Sequence, residues 1–150
     1  MDDEIFMKMA LEEATKAAAR GEVPIGAVLV HAATGTVIAS AGNSTLEHND
    51  PTAHAEILVI RAGCAKAGAQ RIPECDLYVT LEPCAMCAAA ISFARLRRVV
   101  FGAEDAKGGG VLHGGKFFEQ PTCHHRPLVA HGVLADPGGQ ILKDFFKSRR

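Results

Sequence analysis

The chain has 150 residues, 48% hydrophobic and 22% charged, with 16 Lys and Arg against 17 Asp and Glu for a formal net charge of -1. At this length a globular chain buries roughly 68–70% of the surface its unfolded form exposes, so it needs neither a disulfide scaffold nor a metal staple to fold. No apolar run approaches the roughly 18 residues of a membrane span, the start Met1-Asp2-Asp3-Glu4 is acidic where a signal peptide is basic, and the balanced charge excludes a generally basic nucleic-acid coat, so the expectation is a cytoplasmic protein.

From Asp3 to Arg20 the chain is rich in Ala, Glu, Lys and Met, with Ile5 and Met9, and Met7, Leu11, Ala14 and Ala18, at helical spacing, which predicts a helix ending near Gly21. Ile25–Val30 and Thr36–Ser40 are β-prone runs joined by Ala33-Thr34-Gly35, and they predict a hairpin. Asp50-Pro51 reads as an N-cap with proline at the first helical position, so a second helix is expected to start just before His54 and to run to about Gly68. A strand over Leu77–Leu81, a helix from Pro83 to about Ala94 and a strand over Arg98–Gly102 follow, an order that implies a parallel crossover. Lys107 to Arg126 has no sustained period and reads as loop, with a short helical piece at Lys116–Glu119. A short strand within Pro127–Val133 and a last helix from Asp136-Pro137, with Ile141, Leu142, Phe145 and Phe146 on its apolar face, complete the chain. Helices alternate with strands and no linker or repeat interrupts them, as in an α/β layered domain with a mixed sheet.

Five cysteines without a secretory signal argue for metal ligation or catalysis rather than disulfides. Two segments concentrate the chemistry: Thr52-Ala53-His54-Ala55-Glu56 and Glu82-Pro83-Cys84-Ala85-Met86-Cys87, each at an expected helix start. Cys84 and Cys87, three apart, share one helix face. His54 and Glu56, two apart, would diverge by about 200° around a helix, so both serve one centre only if it lies beyond the helix end. His54, Cys84 and Cys87 make an open zinc site whose fourth position is left to water, and zinc lowers the pKa of such water to about 7. Glu56 is then the candidate general acid/base. The combination of His-x-Glu with Pro-Cys-x-x-Cys is the signature of the zinc nucleobase deaminases. Two other readings of the same residues are a closed structural zinc site, its fourth ligand drawn from Cys64, Cys75, Cys123, His113, His124, His125 or His131, and a redox Cys-x-x-Cys.

These residues resemble the cytidine-deaminase-like superfamily, and within it most nearly the bacterial tRNA adenosine deaminases that make inosine at the wobble position. The resemblance spans most of the chain: Val23–Val28, Asp50–Glu56, Leu77–Cys87, Val99–Ala103, Asp105-Ala106-Lys107 and Asp144-Phe145-Phe146. Ile25 in Pro24-Ile25-Gly26 and Leu81 in Leu81-Glu82-Pro83-Cys84 separate it from the bacterial guanine deaminases, which more often carry Phe and Cys there. It implies a three-layer α/β/α sandwich with a mixed five-stranded sheet, one zinc-dependent deaminase domain over residues 1–150, one zinc per subunit, a homodimer, and a tRNA anticodon loop as partner. It further implies that Asn43 hydrogen-bonds the target base, that Asp105 and Lys107 hold neighbouring nucleotides, and that Phe146 and Arg149 meet RNA from the last helix. The segment from Gly108-Gly109-Gly110 to Arg126, with Cys123-His124-His125, departs from the family pattern.

Weaker signals remain. Gly110–Lys116 fits G-x-x-x-x-G-K, but Phe117 stands where a magnesium-binding Ser or Thr belongs, so a loop near the active-site mouth is the simpler reading. Arg95, Arg97 and Arg98, and Lys147, Arg149 and Arg150, form two basic clusters that could contact RNA or simply face water. Phe145-Phe146 could pack one ring and expose the other for base stacking. Cys64 and Cys75 read as small hydrophobes. The alternatives to tRNA editing are deamination of a free base or nucleoside such as guanine, cytosine or cytidine, and a zinc-stabilised RNA-binding module without catalysis.

Overall fold

The computed structural model describes residues 2–149, so Met1 and Arg150 lie outside it. Its centre is a five-stranded sheet in the order β2-β1-β3-β4-β5, formed by β1 (Gly26–His31), β2 (Thr36–Gly42), β3 (Cys75–Leu81), β4 (Arg98–Ala103) and β5 (Leu128–His131). β1 is antiparallel to both β2 and β3, whereas β3, β4 and β5 run parallel, which gives the expected mixed sheet. The register between β1 and β2 slips between Leu29 and Val30, leaving Ile38 as an extra residue on the edge strand.

β1, β3 and β4 are buried on both faces, and alternation sorts their side chains into two cores. Leu29, Leu77, Val79, Val99 and Phe101 face α2 (Ala55–Ala67) and α3 (Ala85–Phe93). Val28, Val30, Tyr78 and Val100 face α1 (Asp3–Ala19), with α4 (Ala135–Lys147) packed beside it against β3 and β4. The layers are therefore α/β/α.

The buried stripe of α1 is Met7, Ala10, Ala14 and Ala17, which includes Met7 and Ala14 of the expected set but lies on the far side of the helix from Ile5, which is exposed. Alanines dominate because β1 comes very close: a Cβ on Gly26 would lie 1.9 Å from the Ala10 carbonyl oxygen and 2.6 Å from the Ala14 nitrogen. Neither proline opens a helix as the sequence suggested. Asp50 instead caps its own turn, its Oδ1 accepting from the Thr52 N–H and hydroxyl at 2.8 and 2.7 Å. α2 begins at Ala55 and α3 at Ala85, so His54 and Cys84 are the extended residues just before each helix.

The segment between β4 and β5 holds a single 3-10 turn, Phe117–Glu119, preceded by a loop tied to the end of β3. A phosphate-binding loop is ruled out here, since no long helix follows Lys116. Among the described residues, no helix is long and apolar enough to cross a membrane.

Candidate metal centre

The two helix starts meet at one end of the sheet, beyond the carboxyl end of β3. His54 Nδ1 lies 3.7 Å from Cys84 Sγ and 3.5 Å from Cys87 Sγ, and the three donor atoms all fall within 4.8 Å of one another. One nitrogen and two sulfurs at this separation suit zinc, which prefers such mixed borderline and soft donors in tetrahedral sites with one position open. Among the described residues no fourth side chain joins them. His125 bonds the Leu96 carbonyl through Nε2 at 2.7 Å, His131 stacks on Phe101 with centroids 5.5 Å apart, and His124 is exposed. Cys75 is buried, and Cys64 and Cys123 pack at the margin of the core. His113 pairs with Glu82 at 2.8 Å, so none of the seven candidate fourth ligands joins the cluster among the described residues, which speaks against a closed structural site.

Electrostatics at the cluster separate its members. A hydrogen bond from Cys87, helped by His54, holds the Cys84 thiol well below its usual range, and the hydrogen bond to Cys84 raises His54. Sharing with Cys84 pushes the Cys87 thiol up, and burial adds to the rise. Glu56, one residue into α2, is 4% exposed. Burial pushes its carboxyl up to about 7, placing it near neutrality as proton-transfer groups require.

His54, Glu56 and Cys84 line a cavity of about 200 Å³ together with Ile25, Leu81, Glu82, Asp105 and Gly108. Ile25, Leu81 and Asp105 also line an adjoining groove of about 530 Å³, which runs along α4 past Lys107, Leu142, Lys143 and Phe146. Asn43 caps the start of α2: its Oδ1 accepts from the Ala55 N–H at 2.9 Å, no hydrogen bond engages its side-chain NH2 among the described residues, and it does not line the cavity. Asp105 Oδ1 accepts from the Lys107 and Gly108 N–H groups at 3.1 and 2.9 Å, so its carboxylate shapes its own turn while Lys107 stays exposed. Phe145 is buried and Phe146 is 47% exposed, one ring in and one out. Arg149 lies over Phe145, 3.8 Å from the ring centroid, and not in the groove.

Two arginines of the first basic cluster are consumed by ion pairs, and the third, Arg95, donates to the Ser92 carbonyl at 2.9 Å. Arg97 forks onto Asp76, and Arg98 onto Asp3 at 3.0 and 2.9 Å, at the opposite end of β3 and β4 from the cavity. Two buried acids to which the sequence reading gave no role organise the site's surroundings. Glu22 accepts from the Leu46 and Glu47 N–H groups, and Glu82 accepts from four N–H groups of the loop after β4. An acid between a strand and Pro-Cys, facing a downstream glycine run with no ladder for its N–H groups, was the available signal for Glu82. Lys143 was legible as the residue one turn before Phe146.

Residues 1–103 match the cytidine and deoxycytidylate deaminase zinc-binding region. The chain is 59% identical to a tRNA-specific adenosine deaminase of Agrobacterium fabrum (strain C58 / ATCC 33970) over 145 residues, 97% of this chain and 94% of that one. A chain solved in a study of A-to-I editing by tRNA:A34 deaminases at the wobble position superposes with a TM-score of 0.89 at 60% identity, covering 91% of this chain and 98% of that one. A guanine deaminase from Bacillus subtilis superposes less well, with a TM-score of 0.66 at 32% identity over 99% and 94% of the two chains.

Proposed function

The chain belongs to the cytidine and deoxycytidylate deaminase family, and on that premise we propose that it hydrolyses adenosine to inosine at the wobble position of a tRNA anticodon loop. The observation that carries this reading is the cavity shared by His54, Glu56 and Cys84, opening into a groove edged by Lys107, Lys143 and the exposed ring of Phe146. A small pocket receives a base, and a cationic, aromatic-edged groove suits the flanking single-stranded nucleotides. The near-identity in length and 59% identity to the Agrobacterium enzyme support the same substrate.

His54, Cys84 and Cys87 would hold the zinc, which when bound supplies a Lewis acid that makes water a nucleophile at neutral pH. Glu56 takes one proton from the attacking water and delivers it to the ring nitrogen N1, then passes the second, from the hydroxyl now on C6, to the amino group, so that the C6–N bond breaks, ammonia leaves and a C6 carbonyl remains. The burial that raises the Glu56 carboxyl lets it both accept and return that proton. The NH2 of Asn43 is the donor assigned to the base, its oxygen being committed to Ala55. Asp105 and Lys107 are assigned to nucleotides beside the target. Phe146 offers a stacking face, and Arg149 acts from the end of α4, held there on Phe145.

The whole of residues 1–150 is read as one deaminase domain, working in the cytoplasm as a homodimer. The test is inosine formation in a synthetic anticodon stem-loop with adenosine at the wobble position, against free adenosine, guanine and cytidine. Inosine in the stem-loop alone is expected, with a KM that rises as salt screens the phosphates. Ammonia from a free base without editing would move the protein to nucleobase salvage.

A further inference from the structure

Glu82 has no part in the chemistry above, yet its carboxylate is the most heavily bonded side-chain group among the described residues. It follows β3 directly, and its side chain is wholly buried. Oε1 accepts from the Asp105 N–H at 3.0 Å and pairs with His113 Nδ1 at 2.8 Å. Oε2 accepts from the backbone N–H groups of Val111, Leu112 and His113 at 3.1, 2.9 and 3.1 Å. Five donors fill the lone-pair sites of a carboxylate, so neither oxygen has capacity left for a substrate.

The loop is built to reach this anion. A Cβ on Gly109 would sit 2.2 Å from Glu82 Oε2, and one on Gly110 would sit 2.6 Å from the Ala85 nitrogen at the start of α3. The Gly110 N–H donates to the Pro83 carbonyl at 2.8 Å. The same loop carries Asp105 and Gly108 onto the wall of the cavity, facing His54, Glu56 and Cys84.

We infer that Glu82 is a positioning residue: a buried anion around which residues 105–113 are wound, fixing the cavity wall relative to metal ligands that begin two residues further on. Charge-assisted bonds to backbone N–H groups hold a glycine loop that has no strand to pair with. Because one short stretch of chain carries both the anion and Cys84, the wall and the ligand set move as a unit. What the wall receives, the RNA flanking the target base, rests on the deaminase reading above.

The test uses the full, zinc-loaded chain as His113→Ala, Gly109→Ala, Glu82→Gln and Glu82→Asp. His113→Ala removes one donor of five. Gly109→Ala pushes the loop off the carboxylate. Glu82→Gln sets an NH2 against N–H donors whichever way it turns, and Glu82→Asp keeps the charge. Amide exchange at positions 111–113 is expected to accelerate in the first three while β1 and β3 exchange and zinc content hold. KM for the stem-loop should rise about tenfold with kcat within about twofold, and Glu82→Asp should recover part of what Glu82→Gln loses. Unchanged exchange at 111–113 in both His113→Ala and Gly109→Ala overturns the inference. So does a loosened loop with parental KM, whatever happens to kcat. If the unsubstituted chain makes no inosine, the deaminase reading falls, and the exchange measurements alone decide whether Glu82 orders the loop.

Discussion

Glu56 and Asn43 show how one side chain is made to do two jobs. Glu56 sits in the first turn of α2, where a carboxylate is favoured by the helix dipole, yet it is buried deeply enough for its carboxyl to rise to about 7. Its neighbour His54 reaches the cysteines because it precedes the helix in extended conformation, so the two diverge in chain geometry and converge in space. Glu56→Gln keeps the size and removes the proton carrier. Zinc content by elemental analysis is expected to stay at the parental level, while inosine production falls about 10²–10⁴-fold. An equal loss of metal would make Glu56 a ligand support instead. Asn43 combines a cap on the Ala55 N–H with a free NH2, a division invisible in sequence, where only its place after the second strand was legible.

Among the elements, most of the chain was readable from its pattern. α1, the hairpin, the β3–α3–β4 crossover and α4 all lie close to where apolar runs and the breaks between them put them. The helix starts were not readable, since Asp50-Pro51 and Pro83 look like caps and the competing turn around Asp50 is decided by a side-chain bond to Thr52. The ligand set was legible because its residue types are rare and closely spaced. The groove was only half legible, since Lys107 and Phe146 meet across the space between β4 and α4, and no local spacing encodes that. Contact of α1 with β1 was likewise hidden in a single glycine. Gly26→Ala forces its methyl against main-chain atoms of α1 that have no rotamer to change. The denaturant midpoint should drop by the equivalent of about 3 kcal/mol, the upper end of overpacking costs, with no change in m-value.

Across the whole molecule, long-range bonds join the first helix to the middle of the chain. Asp3, at the start of α1, binds Arg98 on β4 and accepts from the Tyr78 hydroxyl on β3 at 2.9 Å. The Arg98 hydrogen bond holds the Asp3 carboxyl below its usual range, so the folded state binds this proton more weakly than the unfolded one. The resulting stabilisation is present above about pH 4 and is lost as pH falls through the folded value. Asp3→Asn should therefore cost about 1 kcal/mol at pH 7, allowing for water around a partly exposed pair, and parent and variant should converge in acid. Urea titrations at pH 7 and pH 3 would show it; a constant gap would deny the ion pair its role. The ligand set bridges the two halves of the sheet. Cys84 and Cys87 arrive together in the β3–α3–β4 unit, and His54, 30 and 33 residues away, arrives with α2 from the β1–β2 side. An ion held there would act as a clasp that closes only once both halves have met, a contact expected to follow the folding barrier. Loading zinc should leave the refolding rate unchanged and slow unfolding in proportion to metal affinity, so that the holo protein's lifetime, rather than the speed of its assembly, is what metal supply controls.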